Sequence, residues 1–148
     1  MLNSDYKDIL RALSERKVKF LLVGAYAMAA HGYPRSTMDI DLWVMPDPEN
    51  AHLVLQALED FGAPSSELSP EDLQKKDIVF QIGVAPRRID ILTSVDGLKF
   101  EDAFPRSNII EIDAISIHVL SVSDLITNKR ATGRTKDLAD AELLEGDQ

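Results

Sequence analysis

The sequence predicts an α/β (α+β) fold, a short mixed β-sheet with helices packed on it. Short apolar runs such as FLLV, MDIDLWVM and RRIDILTSV read as strands. Segments with helical spacing of apolar residues lie between them, bounded by capping and turn residues. The order is helix, strand, helix, strand, helix, then two strands, followed by further strands and helices. The 148 residues, 45% hydrophobic and 28% charged, suit one domain over 1–148 with its own core.

Taken in order, Ser4 can cap a first helix running to about Arg16, with Ile9, Leu10 and Leu13 on one face. FLLVG follows as a buried strand that Gly24 ends. AYAMAAHG then reads as a helix, because alanine and methionine favour helix and Gly32 can stop it. After the loop YPRST, MDIDLWVM forms a second strand. Pro46-Asp47-Pro48 opens a helix with Leu53, Leu55, Leu58 and Phe61 at helical spacing. Residues 63–73, rich in Ser, Pro and Glu, predict a surface loop. DIVFQIGV and RRIDILTSV, parted by Ala85-Pro86, suit a hairpin. LKFEDAF is a short helix or loop, and IIEIDAISIHVLS alternates enough for one or two strands around Asp113. The C-terminal SDLITNKRATGRTKDLADAELLE is helical with an interruption near Gly133. Asp124 and Asp137 fall near its helix starts, where the dipole favours acids.

A net charge of −9 argues against broad adhesion to nucleic acid or anionic membrane. Nucleotides would need a local basic patch or metal ions. The absence of cysteine excludes disulfides, thiolate zinc sites and cysteine nucleophiles, and fits a cytoplasmic location. The apolar stretch from Phe20 meets Arg35, Asp39 and Asp41 too soon for a membrane span. The charged segment before it resembles a surface helix, not a signal peptide.

The chemistry centres on two aspartates in an apolar strand. Strand alternation turns Asp39 and Asp41 to one face and Ile40 and Leu42 to the other. Two carboxylates at that spacing repel unless a cation lies between them. Mg²⁺ suits them, with Mn²⁺ as a substitute, because hard cations take oxygen ligands and substrate phosphates. Asp90 interrupts RRIDIL in the same way. If the two strands are neighbours, three carboxylates converge on a metal site fit for in-line phosphoryl transfer. Gly24, at a strand-to-helix junction, can present backbone N–H groups to a phosphate. Arg35 and Thr37 precede the acids and can contact an anion. The plainer alternative is a wet sheet face carrying solvated aspartates.

Gly24-Ala25, a spacer, then Asp39-Ile40-Asp41-Leu42 resemble the signature of the polymerase-β-type nucleotidyltransferase superfamily. Asp90 falls where that superfamily carries its third carboxylate. Phe20–Val44 and the C-terminal SVSDLITNKRATGRTKDLADAELL look like the small bacterial nucleotidyltransferases related to abortive-infection toxins. The resemblance implies a nucleotidyltransferase fold and transfer of NMP from an NTP to an acceptor hydroxyl, releasing pyrophosphate. It implies that Asp39 and Asp41 bind metals, and that Asp90 binds the catalytic metal and activates the hydroxyl. Ala25 departs from the pattern, which has glycine or serine there. Only the backbone N–H of Ala25 remains to meet a phosphate.

Lys129, Arg130, Arg134 and Lys136 form a basic cluster in an acidic chain. It is either a solvated helix face or a phosphate grip through Lys129 and Lys136, and a lysine on this helix has that part in the resembling families. Lys136-Asp137 can alternatively be a structural pair. His31, His52 and His118 lack metal-ligand spacing, and His31 suits helix-end packing. Trp43 is expected to alternate away from the acids, into core or interface. The acceptor stays open among RNA, protein and a small molecule. A helical partner protein or a homodimer is a possible associate. The rival reading is a non-catalytic interaction subunit of this fold, for instance half of a toxin–antitoxin pair; an Mg²⁺-dependent phosphohydrolase is a third.

Overall fold

The computed structural model describes residues 2–146; Met1, Asp147 and Gln148, part of the expected domain, lie outside the described residues. Among the described residues, six α-helices accompany one six-stranded sheet. In chain order they are α1 (Ser4–Glu15), β1 (Phe20–Val23), α2 (Gly24–Ala30), β2 (Asp39–Val44), α3 (Pro48–Phe61), β3 (Val79–Ile82), β4 (Arg88–Leu92), α4 (Phe100–Arg106), β5 (Asn108–Ile112), β6 (Ile115–Val119), α5 (Val122–Thr132) and α6 (Thr135–Gly146). Strand order is β3-β4-β2-β1-β6-β5. β1 runs antiparallel to β2 and parallel to β6, while β2 and β4 are parallel. The sheet is therefore mixed, as the sequence predicts.

Local chemistry explains most boundaries. α1 is capped by Asn3 and not by Ser4, because the Asn3 side chain accepts the Tyr6 N–H and Ser4 is already helical. Tyr6, Ile9, Leu10 and Leu13 then form its buried stripe. Asp47 caps α3 with Pro48 in the first turn, and Gly62 ends it in the left-handed region. Leu73, fully buried in a 3₁₀ turn at Asp72–Gln74, anchors the end of the 63–73 loop to the core. LKFEDAF resolves as the start of α4. IIEIDAISIHV resolves as two antiparallel strands whose turn residues, Asp113 and Ala114, both have positive φ, as a tight hairpin turn requires.

The two faces of the sheet's centre differ. Ile40, Leu42, Val44, Ile89 and Ile91 are buried in the core cluster that includes Leu10 and Leu13 of α1 and Val54 and Leu58 of α3. The other face carries Asp39, Asp41 and Trp43 on β2 beside Arg88, Asp90 and Leu92 on β4. Trp43 thus shares a face with the acids, two residues beyond Asp41, contrary to expectation. It is nevertheless core: Phe100 meets it edge-on at 5.2 Å and its indole N–H donates to the Thr93 carbonyl. The face changes from apolar to acidic within one strand. Among the described residues, no helix is long and apolar enough to cross a membrane.

Candidate active site

Parallel pairing of β2 with β4 sets Asp41 directly opposite Asp90 and Asp39 opposite Arg88. Asp39, Asp41 and Asp90 each offer a carboxylate oxygen, and these oxygens lie within 4.8 Å of one another. That donor set, three hard oxygens converging on one point, fits a divalent cation such as Mg²⁺. Asp41 is opposed to ionisation: burial, then the charges of Asp39 and Asp90, push its carboxyl up to about 7. Burial also raises Asp90, against the pull of Arg88.

Gly24 earns its place by steric necessity. Its φ is +70°, and a Cβ built there would lie 2.3 Å from Asp41 Oδ2. The glycine of the Gly24-Ala25 pair therefore lets β1 and β2 bring the chain against the carboxylate. Thr37 turns inward and donates to Asp39 Oδ1 at 3.0 Å, which orients that acid.

A cleft of about 500 Å³ opens over this face, lined by Gly24, Ala25, Arg35, Thr37, Asp39, Asp41, Lys129 and Lys136 among others. Asp90, only 6% exposed, stands behind that lining, against Arg88. Across the cleft, α5 and α6 meet in a second ionic cluster. Lys129 Nζ lies 3.4 Å from Asp137 Oδ1 and 3.2 Å from Asp140 Oδ2. Arg35 donates to Asp140 at 2.7 Å, while Arg134 and Thr132 donate to Asp137. Burial opposes the charge on both carboxylates, but these hydrogen bonds and cations win and hold them below the usual range.

Most sequence-selected residues therefore reach one cleft, but with different occupations. Lys129 is tied to two aspartates, and Arg35 is tied to Asp140. The structural partner of Asp137 is Lys129 with Arg134 and Thr132, not the neighbouring Lys136. Among the described residues, Lys136 lines the cleft without an ion-pair partner. His31 packs at the end of α2 with Nε2 2.9 Å from the Leu120 carbonyl oxygen.

Two residues escaped the sequence reading. Arg88 lies two positions before Asp90, so strand alternation alone puts it on the acidic face. Its Nη2 donates to Asp39 Oδ2 at 2.5 Å and its Nε to Asp90 Oδ1 at 3.0 Å. Asp140 lies three residues after Asp137 on one helix face, a spacing that could have marked a carboxylate pair.

A six-stranded mixed sheet with an acid triad at its centre is the frame of a nucleotidyltransferase. Residues 2–144 match the family described as nucleotidyltransferase of unknown function (DUF6036), and the chain belongs to that family. No curated protein matches it in sequence. Among solved structures, it is similar to a Thermotoga maritima protein provisionally assigned as a nucleotidyltransferase. The TM-score is 0.59 at 20% identity, covering 99% of this chain and 94% of the other. It is also similar to ANT(2″)-Ia, solved in complex with adenylyl-2″-tobramycin. There the TM-score is 0.52 at 15% identity, covering 94% of this chain and 84% of the other. These two likenesses establish the shared fold.

Proposed function

We propose that this chain transfers a nucleoside monophosphate from an NTP to an acceptor hydroxyl, releasing pyrophosphate. The observation that carries the reading is the convergence of Asp39, Asp41 and Asp90 with a single guanidinium to balance three carboxylates. These three residues would hold Mg²⁺, with Mn²⁺ as a substitute. Bound there, a divalent ion supplies charge neutralisation at the phosphates and a Lewis acid for the reacting oxygens.

The chain's own groups divide the remaining work. Backbone N–H groups of Gly24 and Ala25 offer donors to the phosphates at the cleft floor. Lys136, free of carboxylates, suits the departing pyrophosphate better than Lys129. Arg35 and Lys129 shape that wall from within their ion pairs. Thr37 fixes the rotamer of Asp39. The resemblance gives Asp90 the part of taking the acceptor's proton as the new oxygen–phosphorus bond forms and the bond to pyrophosphate breaks. Both its oxygens accept from Arg88 here, so that part requires Arg88 to release it. The polar, cation-walled cleft favours a triphosphate over an apolar ligand.

The test is incubation with each α-³²P-labelled NTP, Mg²⁺ and a cell extract. Label should appear in an acceptor and should vanish with the D39N/D41N variant. Phosphate release without label transfer would replace this reading with a phosphohydrolase. Neither transfer nor hydrolysis, with a helical protein co-purifying, would favour the non-catalytic subunit of a toxin–antitoxin pair.

A further inference from the structure

Arg88 already engages carboxylate oxygens that a cation would need. Its Nε donates to Asp90 Oδ1, and its Nη2 donates to both Asp39 Oδ2 and Asp90 Oδ2, the last at 3.2 Å. Asp39 Oδ1 accepts from Thr37. Every carboxylate oxygen of Asp39 and Asp90 thus already has a donor, and only Asp41 is left without a cation of its own. A guanidinium and a divalent ion cannot share these oxygens without strong like-charge repulsion.

The arginine is also held so that it can leave. Its backbone is fixed, since the Tyr6 hydroxyl lies 3.0 Å from the Arg88 carbonyl oxygen and 3.1 Å from that of Pro86. Its side chain is one-third exposed, so its ion pairs are not sealed within the core.

Resting on the proposed metal–nucleotide reading, we propose that Arg88 is the triad's resident counter-cation, which a divalent ion must displace from Asp39 and which then pairs with nucleotide phosphate. Arg88 is a positioning residue in this account. It makes metal entry depend on nucleotide: metal alone must break the Arg88 pairs uncompensated, whereas a triphosphate gives the displaced guanidinium a new anionic partner. Binding free energies are reciprocal, so metal and nucleotide each tighten the other through this one side chain. A purely orienting strut would do the opposite, since its removal loosens the carboxylates and weakens metal binding.

The direction of the effect decides the matter. Mn²⁺ binding would be titrated by electron paramagnetic resonance, with and without a non-hydrolysable NTP analogue, on wild type, R88Q and R88K. R88Q should bind Mn²⁺ roughly tenfold tighter than wild type without nucleotide, and nucleotide should enhance its binding much less. R88K, which keeps the charge, should stay within about threefold of wild type. R88M, which keeps the aliphatic stem, replaces R88Q if circular dichroism shows that R88Q is misfolded. Unchanged or weaker Mn²⁺ binding by the neutral variants, with wild type binding Mn²⁺ beside nucleotide, overturns the role of Arg88 alone. Equal tightening in R88K overturns it too. Wild type that binds no Mn²⁺ under either condition overturns the metal reading and this proposal together.

Discussion

Two acidic clusters face the same cleft, and their charge balance is opposite. On the sheet, three carboxylates share one guanidinium. Between α5 and α6, two carboxylates are shared by Lys129, Arg35 and Arg134. The same physics acts on both, because burial opposes the charged form of a carboxylate in each place. In the helical cluster the cations win and the carboxyls of Asp137 and Asp140 are held low. In the sheet cluster they lose, and Asp41 is pushed up to about 7. The helical cluster is complete as it stands and acts as a clamp. The triad is short of positive charge, which is the condition for a cation site. The cleft between them has an acidic floor and a wall with more cations than carboxylates, which the proposed function would assign to metal and to phosphate.

Substitutions can break this contrast. The largest effect is expected on the floor: D39N/D41N should lower label transfer by about 10³-fold or more while leaving the melting temperature at neutral pH unchanged or higher. Next comes G24A. A methyl group would collide with Asp41 Oδ2 in a left-handed backbone, so about 1–3 kcal/mol of stability should be lost in denaturant unfolding, with most of the transfer activity. On the wall, D140N leaves Lys129 with one carboxylate and Arg35 with none. Denaturant unfolding should show a loss of about 2–3 kcal/mol, with Mn²⁺ affinity within a few-fold of wild type.

The last contrast is in the pH dependence, where the two clusters should give opposite signs. Asp41 binds a proton more tightly in the folded chain than in the unfolded one. Its contribution to stability is therefore present below the unfolded value near 4 and lost as pH rises through about 7. Asp137 and Asp140 are held low, so their contribution is present above the unfolded value and lost as pH falls through their lowered folded values. Thermal melts without added metal should show D41N flattening the decline between about pH 4 and pH 7. In the same experiment D140N should flatten the acid limb.

How much of this was legible from the chain differs between the two clusters. The triad was readable because alternation is a local rule: Asp39 and Asp41 must share a strand face, and Asp90 interrupts a strand in the same way. The same rule places Arg88 and Trp43 on that face, for Trp43 against the expectation that it alternates away from the acids. Trp43 became core because Phe100, distant in sequence, covers it. The wall was less legible. Lys129, Asp137 and Asp140 meet only because Gly133 turns α6 back onto α5, and periodicity within either helix cannot set that crossing. Arg35 reaches Asp140 from more than a hundred residues away. Asn3 displaced Ser4 as the first cap because both are good caps and a single residue of register separates them. The strand order, with β2 between β1 and β4, is what turned three separate acids into one site.

The central claim is that the triad, with one guanidinium for three carboxylates, is short of positive charge that metal-bound nucleotide would supply. Calorimetric titration of a non-hydrolysable NTP analogue into wild type and D39N/D41N, with and without Mg²⁺, tests it most directly. Wild type should bind the analogue well only with Mg²⁺, and the double variant should lose that Mg²⁺-dependent gain. Binding that is equal in both proteins, or indifferent to Mg²⁺ in wild type, would contradict the account.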